Sequence, residues 1–432
     1  MKFTINRDEY YRVLKLVKVV ADMSVKPTKE NYTCLLRLFP KERKFILDFA
    51  LQGAFLTYNF DDFTIDSEEK TDEIRRSLNL STLFALKFSG ETITIELGNN
   101  KEGNTVNFSS GKLKGKLLLS HEDIEKEVEN RRPDPNKIEL DHHFEISTFI
   151  KALSGHHYGS HSPSFDNTKR PTRIKSAVVK EKEVIVFESK DRNAGGRIAK
   201  PSMFPIKEPF SFYVLPVPLN AVLTALVKAD SDTFHFGIAK DCWRLNSGSV
   251  DIWIPNIVHA CSLDFDELYD STLNGNYLSI LSPPKDLKSA IDELLPFLTS
   301  SLLDPEEKAA YIKLEIEENE VFFTLQTNKA KDVSVKWENT SIHAPIITDP
   351  EDPKQSIILK DSTPLRIDLR YLNDVYAAIV KNLGKEENVV EIRYWPYGET
   401  QYPTKGRAFC VCGGDNHFWI ARMTVKEEIK HV

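Results

Sequence analysis

The sequence predicts an α+β protein built from three copies of one domain, and three observations carry that prediction. One order of elements is written three times: a helix, three strands, a second helix, more strands. The second helix is legible in every copy, as Ser77–Lys87, Tyr213–Lys228 and Leu365–Lys381. The first helices open at Ile5–Ala21, Ile146–Leu153 and Ser282–Leu298, a start-to-start spacing of roughly 140 residues, the size of an ordinary domain. A threefold repeat of a whole domain implies a curved, quasi-symmetric object able to close into a ring when copies of the chain associate.

In the first copy, Lys2–Ile5 is a short strand and Arg7–Ala21 a helix, because Val13, Leu14, Val17, Val20 and Ala21 recur at helical spacing. Arg12, Lys15 and Lys18 fall three apart on another face and leave it basic. Alternating runs at Tyr32–Phe39, Phe45–Leu51 and Ala54–Phe60 predict strands. An acidic stretch, Asp61–Glu73, holds seven carboxylates against one lysine and precedes the second helix. Thr92–Leu97, Thr105–Ser109 and Lys114–Leu119 complete the copy as strands. Glu122–Asn136 is charged, contains two prolines and has no apolar period, which predicts a linker.

The second copy follows with a helix at 147–153 and strands at 172–179, 183–188 and 196–200. A helix at 218–229 and strands at 233–238, 242–246 and 249–254 complete it. A second linker falls near Phe265–Asn276. In the third copy the strands are expected at 310–317, 320–326 and 332–337, the helix at 369–381, and the last strands at 389–395, 406–412 and 417–423. The domains are therefore expected at 1–125, 137–265 and 276–432, the last ending in a charged tail, Thr424–Val432.

Composition narrows the function classes. Hydrophobic residues at 41% and charged residues at 28% are those of a soluble globular chain. No apolar run approaches the ~20 residues needed to span a membrane, and the charged opening MKFTINRDEYYRV is not a signal peptide. Five cysteines, Cys34, Cys242, Cys261, Cys410 and Cys412, are odd in number and sit mostly in strand-like runs, as reduced thiols of a cytoplasmic protein do. A net charge of −7 argues against coating nucleic acid with the whole surface but leaves room for a local basic face.

MKFTINRDEYYRVLKLVKVV, Lys26–Pro27–Thr28, GRIAK, PVPLNAVLTAL, IDLRYLNDVYAAI and FWIARM, in that order, resemble segments of the beta subunit of bacterial DNA polymerase III, the bacterial-type DNA sliding clamp. MKFTINRDEYYRVLKLVKVV is similar to that family's first strand and helix, and Lys26–Pro27–Thr28 to its Arg-Pro-Thr turn. GRIAK (Gly196–Lys200) resembles the family's Gly-His-Arg-Leu-Ala strand, and PVPLNAVLTAL stands at its second helix in that domain. IDLRYLNDVYAAI is close to the family's Phe-Asn-x-x-Tyr-Leu-x-Asp-Val-Leu helix. FWIARM stands where the family ends in an apolar strand and Met-Pro-Met-Arg; this chain lacks that ending and continues for nine residues. The resemblance spans the chain in order. Extra length in loops such as Thr340–Pro364 and Tyr397–Lys405 points to a divergent member, bacterial or phage-encoded, working in the cytoplasm, that of the host for a phage-encoded chain.

The resemblance implies three clamp domains, each with two helices packed on antiparallel sheets, in a crescent that closes head-to-tail as a homodimer. The ring would encircle double-stranded DNA without sequence preference. It would tether a replicative polymerase as a processivity factor, and polymerase and clamp loader would attach through short peptide motifs. Lys15, Lys18 and Lys26 would then face the DNA, Lys26 in the place of the family's DNA-contacting arginine; the alternative is a solvated helix face. Lys151, Lys169, Arg170 and Arg173, with Lys175, stand against a single carboxylate, Asp166, in a loop interleaved with His156, His157, Tyr158 and His161. Basic and aromatic residues on such a loop suit phosphates or exposed bases; a plain polar loop is the alternative.

Arg197, Ile198, Trp419, Ile420 and Met423 fall where the family builds its partner-peptide pocket, with ordinary core packing as the alternative. Leu302 and Leu303 fall in its ring-closing segment, or pack within their own domain. No spacing matches a metal site, and Cys410-Val-Cys412 puts both thiols on one side of a strand, as core residues. No cofactor motif, phosphate-binding glycine loop, nucleophile elbow or zincin helix is present, so no catalytic residue is expected. The rivals are a clamp-fold interaction scaffold that does not encircle DNA and, more remotely, a nucleic-acid-processing enzyme with separated carboxylates.

Overall fold

A computed structural model of the chain describes residues 1–21, 33–51, 54–66, 71–97, 105–118, 122–155, 171–190, 194–228, 231–239, 242–255, 277–298, 311–326, 333–343, 346–348, 356–358, 365–384, 388–394 and 408–421. The first copy opens with β1 (Lys2–Asn6), α1 (Arg7–Ala21), β2 (Thr33–Phe39), β3 (Lys44–Leu51) and β4 (Ala54–Phe60). β5 (Phe63–Ile65) and β6 (Ile74–Asn79) lead into α2 (Leu80–Ala85), and β7 (Thr92–Leu97), β8 (Thr105–Ser110) and β9 (Leu113–Leu118) close the copy.

After α3 (Glu122–Arg131), the second copy runs β10 (His142–Glu145), α4 (Ile146–Ser154), β11 (Thr172–Val179), β12 (Lys182–Lys190) and β13 (Ala194–Pro201). β14 (Ser211–Val214) and α5 (Pro216–Val227) precede β15 (Thr233–Ile238), β16 (Cys242–Ser247) and β17 (Val250–Pro255). The third copy runs β18 (Leu278–Ser282), α6 (Pro284–Leu294), β19 (Tyr311–Glu317), β20 (Glu320–Gln326) and β21 (Val333–Trp337). Three short strands are inserted there, β22 (Ser341–His343), β23 (Ile346–Thr348) and β24 (Ser356–Ile358). β25 (Leu365–Asp368), α7 (Leu369–Asn382), β26 (Val390–Tyr394), β27 (Ala408–Gly413) and β28 (Asn416–Ala421) finish it.

Two compact units hold these elements: Met1–Ile150 with Val178–Glu183 and Ser202–Val258, and Lys151–Ala177 with Val184–Pro201 and His259–Val432. In the first unit one sheet runs β5-β1-β7-β8-β9 and another β10-β15-β16-β17-β4-β3-β2-β6. In the second, one runs β11-β12-β13-β28-β27-β26-β18-β22 and another β21-β20-β19-β25. Two joints between copies follow one rule. The last strand of the second copy pairs antiparallel with the third main strand of the first, Val250 opposite Tyr58 and Trp253 opposite Phe55. The last strand of the third copy pairs in the same way with β13 of the second, Gly196 opposite Phe418 and Arg197 opposite His417.

Helix α1 buries Tyr10, Val13, Leu14, Leu16, Val17, Val20 and Ala21, the apolar stripe expected from 3.6-residue periodicity. Asn6 caps it, its side-chain oxygen accepting from Asp8 N at 2.8 Å and Glu9 N at 3.2 Å. The second helices start later than their sequence suggests, because each is preceded by a strand, β6, β14 or β25. Asn79 and Asp368 accept from the backbone N–H groups two residues on and so fix where α2 and α7 begin. In the second copy Pro216 opens α5, where a missing N–H costs nothing.

The expected linker at 122–136 is only partly a bare connection, since its first ten residues form α3. Val128 of that helix is fully buried with Leu35, Ala50, Phe55, Ile138 and Trp253. Ion pairs add to it, Glu129 bonding to Arg75 and Arg132, just past its end, to the buried Asp48.

In β15, Gly237 meets the backbone directly: a Cβ there would lie 2.0 Å from Glu139 O and 2.6 Å from Ile138 Cγ2. Gly237→Ala is therefore expected to destabilise the protein by about 1–3 kcal/mol, read as a lowered Tm in thermal unfolding. An unchanged Tm would mean that the β15 edge gives way without cost.

Candidate nucleic-acid interface

The first candidate surface is the solvent side of α1. Arg12, Lys15 and Lys18 are exposed, while the opposite face lies in the core. The acidic first turn of the helix is already engaged: Asp8 pairs with Arg7 at 2.8 Å, and Glu9 accepts from Tyr58 Oη at 3.0 Å. Burial raises the Glu9 carboxyl above its ordinary pKa, against the opposing hydrogen bond from Tyr58. Helix α1 packs against α5, a helix with no charged residue in its twelve positions. The outward residues of α5 include Asn220, Ala221, Thr224 and Val227, with exposed Lys228 just past its end. No carboxylate from α5 therefore competes for the cations of α1, and such a surface can follow a phosphate backbone without reading bases.

Lys151, exposed on the last turn of α4, is the only other described member of the expected DNA-binding set that reaches solvent freely. Arg173 is bound instead to Glu188, at 2.7 Å from Nε and 2.6 Å from its second nitrogen. Glu188 has no exposed surface and also faces Lys175 at 3.3 Å and Arg197 at 3.9 Å. The side chain of Arg173 thus ties β11 to β12. Lys26, Lys169, Arg170, Leu302, Leu303 and Met423 lie outside the described residues.

The second candidate surface lies beside the β13–β28 joint. Arg197 and Ile198 are neighbours on one strand, so the pleat sends them to opposite faces. Arg197 is 4% exposed and shares its face with Glu188 and His417. Ile198 is fully buried on the other face, under Gly155, where an added Cβ would come within 2.6 Å of Ile198 Cδ1. That face is held by Asn382, at the end of α7, whose carbonyl accepts from Lys200 Nζ at 2.6 Å and Asn416 Nδ2 at 3.3 Å. Trp419 and Ile420 pair in register with Gly195 and Ala194. The five residues expected to line one pocket are therefore split, Arg197 and Ile198 standing on two sides of the sheet.

No family model matches the sequence, and no curated protein matches it. Solved structures do. The beta subunit of the DNA polymerase of Streptococcus pyogenes is similar over 98% of this chain and 100% of its own, with a TM-score of 0.64 and 13% identity. DNA polymerase III beta subunit from Thermotoga maritima aligns over 98% and 99%, with a TM-score of 0.63 and 12% identity. The DNA polymerase sliding clamp of Caulobacter crescentus aligns over 98% and 100%, at 0.64 and 11%.

The chain has the sliding-clamp fold. The α+β class and the repeated clamp domains expected from the sequence are those of these neighbours. Within the clamp fold, sequence reasoning overlooked the ionic cluster around Glu188 and the buried Asp48, which accepts from Thr57 at 2.7 Å and lies 3.5 Å from Arg37. A signal existed for both. Asp48 sits in the run FILDFAL and Glu188 in VIVFES, each the one carboxylate of a mainly apolar run, the usual mark of a buried charge that must be paired. Among the described residues, no helix is long and apolar enough to cross a membrane, and no group of His, Cys, Asp and Glu is arranged to hold a metal ion.

Proposed function

We propose that the protein is a non-catalytic DNA sliding clamp, a homodimeric processivity factor that encircles duplex DNA and tethers a replicative polymerase. The observation that carries this reading is the joint rule. At each joint inside the chain the last strand of one copy pairs with the third main strand of its neighbour. Applied once more, the rule matches β9 of one chain with β21 of a second chain, and both strands stand at the open edge of their sheets. An open edge is a template for pairing with another chain, and two such joints close a head-to-tail ring of two chains.

Charge supports the same pairing. The β9 edge exposes Lys112, Lys114 and Lys116. At the end of the sheet containing β21, Glu317, Glu318, Glu320 and Glu338 are exposed; Lys336 of β21 pairs with Glu320 at 2.7 Å and lies 3.8 Å from Glu338, so the end stays net acidic. The three domains are placed at 1–125, 137–265 and 276–432. Lys15, Lys18 and Lys151 are assigned to the DNA, together with Lys26, Lys169 and Arg170. Polymerase and clamp loader would dock by short peptide motifs near the β13–β28 joint, on the side of Ile198. The ring would act in the cytoplasm, that of the host for a phage-encoded chain.

The test is retention of the loaded protein on nicked circular DNA and its loss when the circle is cut. Small-angle scattering should give twice the 49.4 kDa chain mass and a hollow profile. Equal release from circular and linear DNA, with single-chain mass, would replace the ring with a clamp-fold scaffold. A further outcome is expected from Lys15→Gln with Lys18→Gln. Each phosphate contact adds about 0.9 to the slope of log K against log salt, so the double variant should bind DNA with a slope shallower by about 2. An unchanged slope would remove both residues from the interface.

A further inference from the structure

One turn precedes the last strand of every copy. Gly111, Gly248 and Gly414 have φ of 57°, 54° and 58° and lead into β9, β17 and β28. In each copy the residue four places after the glycine pairs with the residue three places before it. Gly115 stands opposite Phe108, Ile252 opposite Leu245, and Phe418 opposite Val411. Gly115, Ile252 and Phe418 are therefore the same position of the repeat.

At the two joints inside the chain that position is filled. Ile252 and Phe418 have no exposed surface. Ile252 belongs to a buried row, Phe236, Leu245, Ile252, Leu56 and Phe49, that crosses from the second copy into the first. Phe418 ends the buried row Ile392, Val411, Phe418 and lies over Gly196 of β13. In the first copy the row Phe3, Ile95, Phe108 is buried as far as β8 and then meets Gly115 on β9. Gly115 is exposed, and a Cβ added to it would have no atom within 4 Å. Leu113 beside it is 37% exposed, whereas its counterparts Val250 and Asn416 are 4% and 2%. The backbone of Gly115 is outside the left-handed region, so the strand itself does not require glycine there.

We propose that Gly115 makes the joint between two chains the weak one of the ring, so that the ring opens there unaided, exchanges chains and takes in circular DNA on its own. The inference rests on the head-to-tail pairing of β9 with β21 of a second chain. On that chain Val333 and Val335 are half-buried and stand opposite the buried Leu325 and Phe323, on the core side of the β21 edge. Backbone pairing and charge bring the two edges together, but the row of side chains that crosses each internal joint is interrupted by a hollow at residue 115. Unfilled apolar contact is stabilisation forgone. A ring of two chains contains the closing joint twice, so whatever stands at residue 115 counts twice.

The experiment mixes isotopically heavy and light full-length protein and follows mixed dimers by native mass spectrometry, for the wild type, Gly115→Val and Gly115→Thr. Valine and threonine have nearly the same shape and both stiffen an extended strand, so only the filling of an apolar hollow separates them. Residue 115 is exposed in the single chain, so both variants should fold. Gly115→Val should slow exchange about tenfold or more, and Gly115→Thr should slow it much less. Uptake of nicked circular DNA with no other protein present should slow in the same order. Equal exchange by all three proteins, or equal slowing by valine and threonine, would overturn the inference and leave the ring in place. Faster exchange by Gly115→Val would overturn it too, since the joint would then already be full. Single-chain mass for all three, with equal release from circular and linear DNA, would remove the ring itself and this inference with it.

Discussion

Glu188→Ala is expected to cost about 3–5 kcal/mol of stability, the usual consequence of removing one partner from a buried ionic cluster. The carboxylate is fully buried and is approached by Arg173 and Lys175 from one neighbouring strand and by Arg197 from the other. Three cations around one anion already leave an excess of positive charge; without Glu188 the cluster holds cations alone. Their side chains are 18%, 13% and 5% exposed, so water reaches them too little to replace the lost anion. Glu188→Gln, which keeps the shape but not the charge, should recover only a minor part of the loss. Arg173→Ala should be milder than Glu188→Ala, because Lys175 and Arg197 still neutralise the carboxylate. Thermal unfolding checks the series, and for a unit of this size the largest effect corresponds to a fall in Tm of roughly 10 °C. A Glu188→Ala protein melting with the wild type would mean that the cluster is solvated and adds nothing to the fold.

That cluster also marks the limit of what the sequence discloses. Arg173 belongs to a basic run and was expected to meet DNA, because composition counts charges along the chain and not across a sheet. Its partner lies fifteen residues away on the next strand, and only the register of β11 against β12 joins them. The stripe of α1 was legible because one helix carries both its faces in a short segment, and burial on one side left Lys15 and Lys18 exposed on the other. Helix α3 was not, since most of its positions are charged and its ion pairs reach distant strands. The repeat was visible as an order of elements, whereas the joints were not. Pairing of β4 with β17 links residues nearly two hundred positions apart, and nothing local in either strand announces it.

The candidate pocket fails to stay together for a similar reason. Arg197 and Ile198 are adjacent in sequence, but a strand sends adjacent side chains to opposite faces. Arg197 joins an ionic layer, and Ile198 joins Gly155 under the ends of two helices. Arg197, nearly without exposed surface, acts through Glu188 to hold the strand that carries it.

The second large effect is expected at the ring-closing edge. Lys114→Glu with Lys116→Glu should turn the dimer into a folded monomer at micromolar concentration and abolish retention on circular DNA. Both lysines are exposed on the outermost strand of their sheet, so the change should leave Tm nearly unmoved and act on association alone. Charge pairs across an interface have coupling energies of about 1.5–7 kcal/mol, and reversing two lysines should weaken the dimer on the order of a hundredfold or more. The decisive comparison adds Glu318→Lys and Glu320→Lys to the same chain. In a head-to-tail ring every chain presents both edges, so the fourfold variant faces reversed charge with reversed charge and should dimerise again. The acidic pair alone should fail as the basic pair does. Sedimentation of the four proteins distinguishes the cases. A dimer that survives the lysine reversal, or a fourfold variant no better than either pair, would place the closing contact away from β9 and β21.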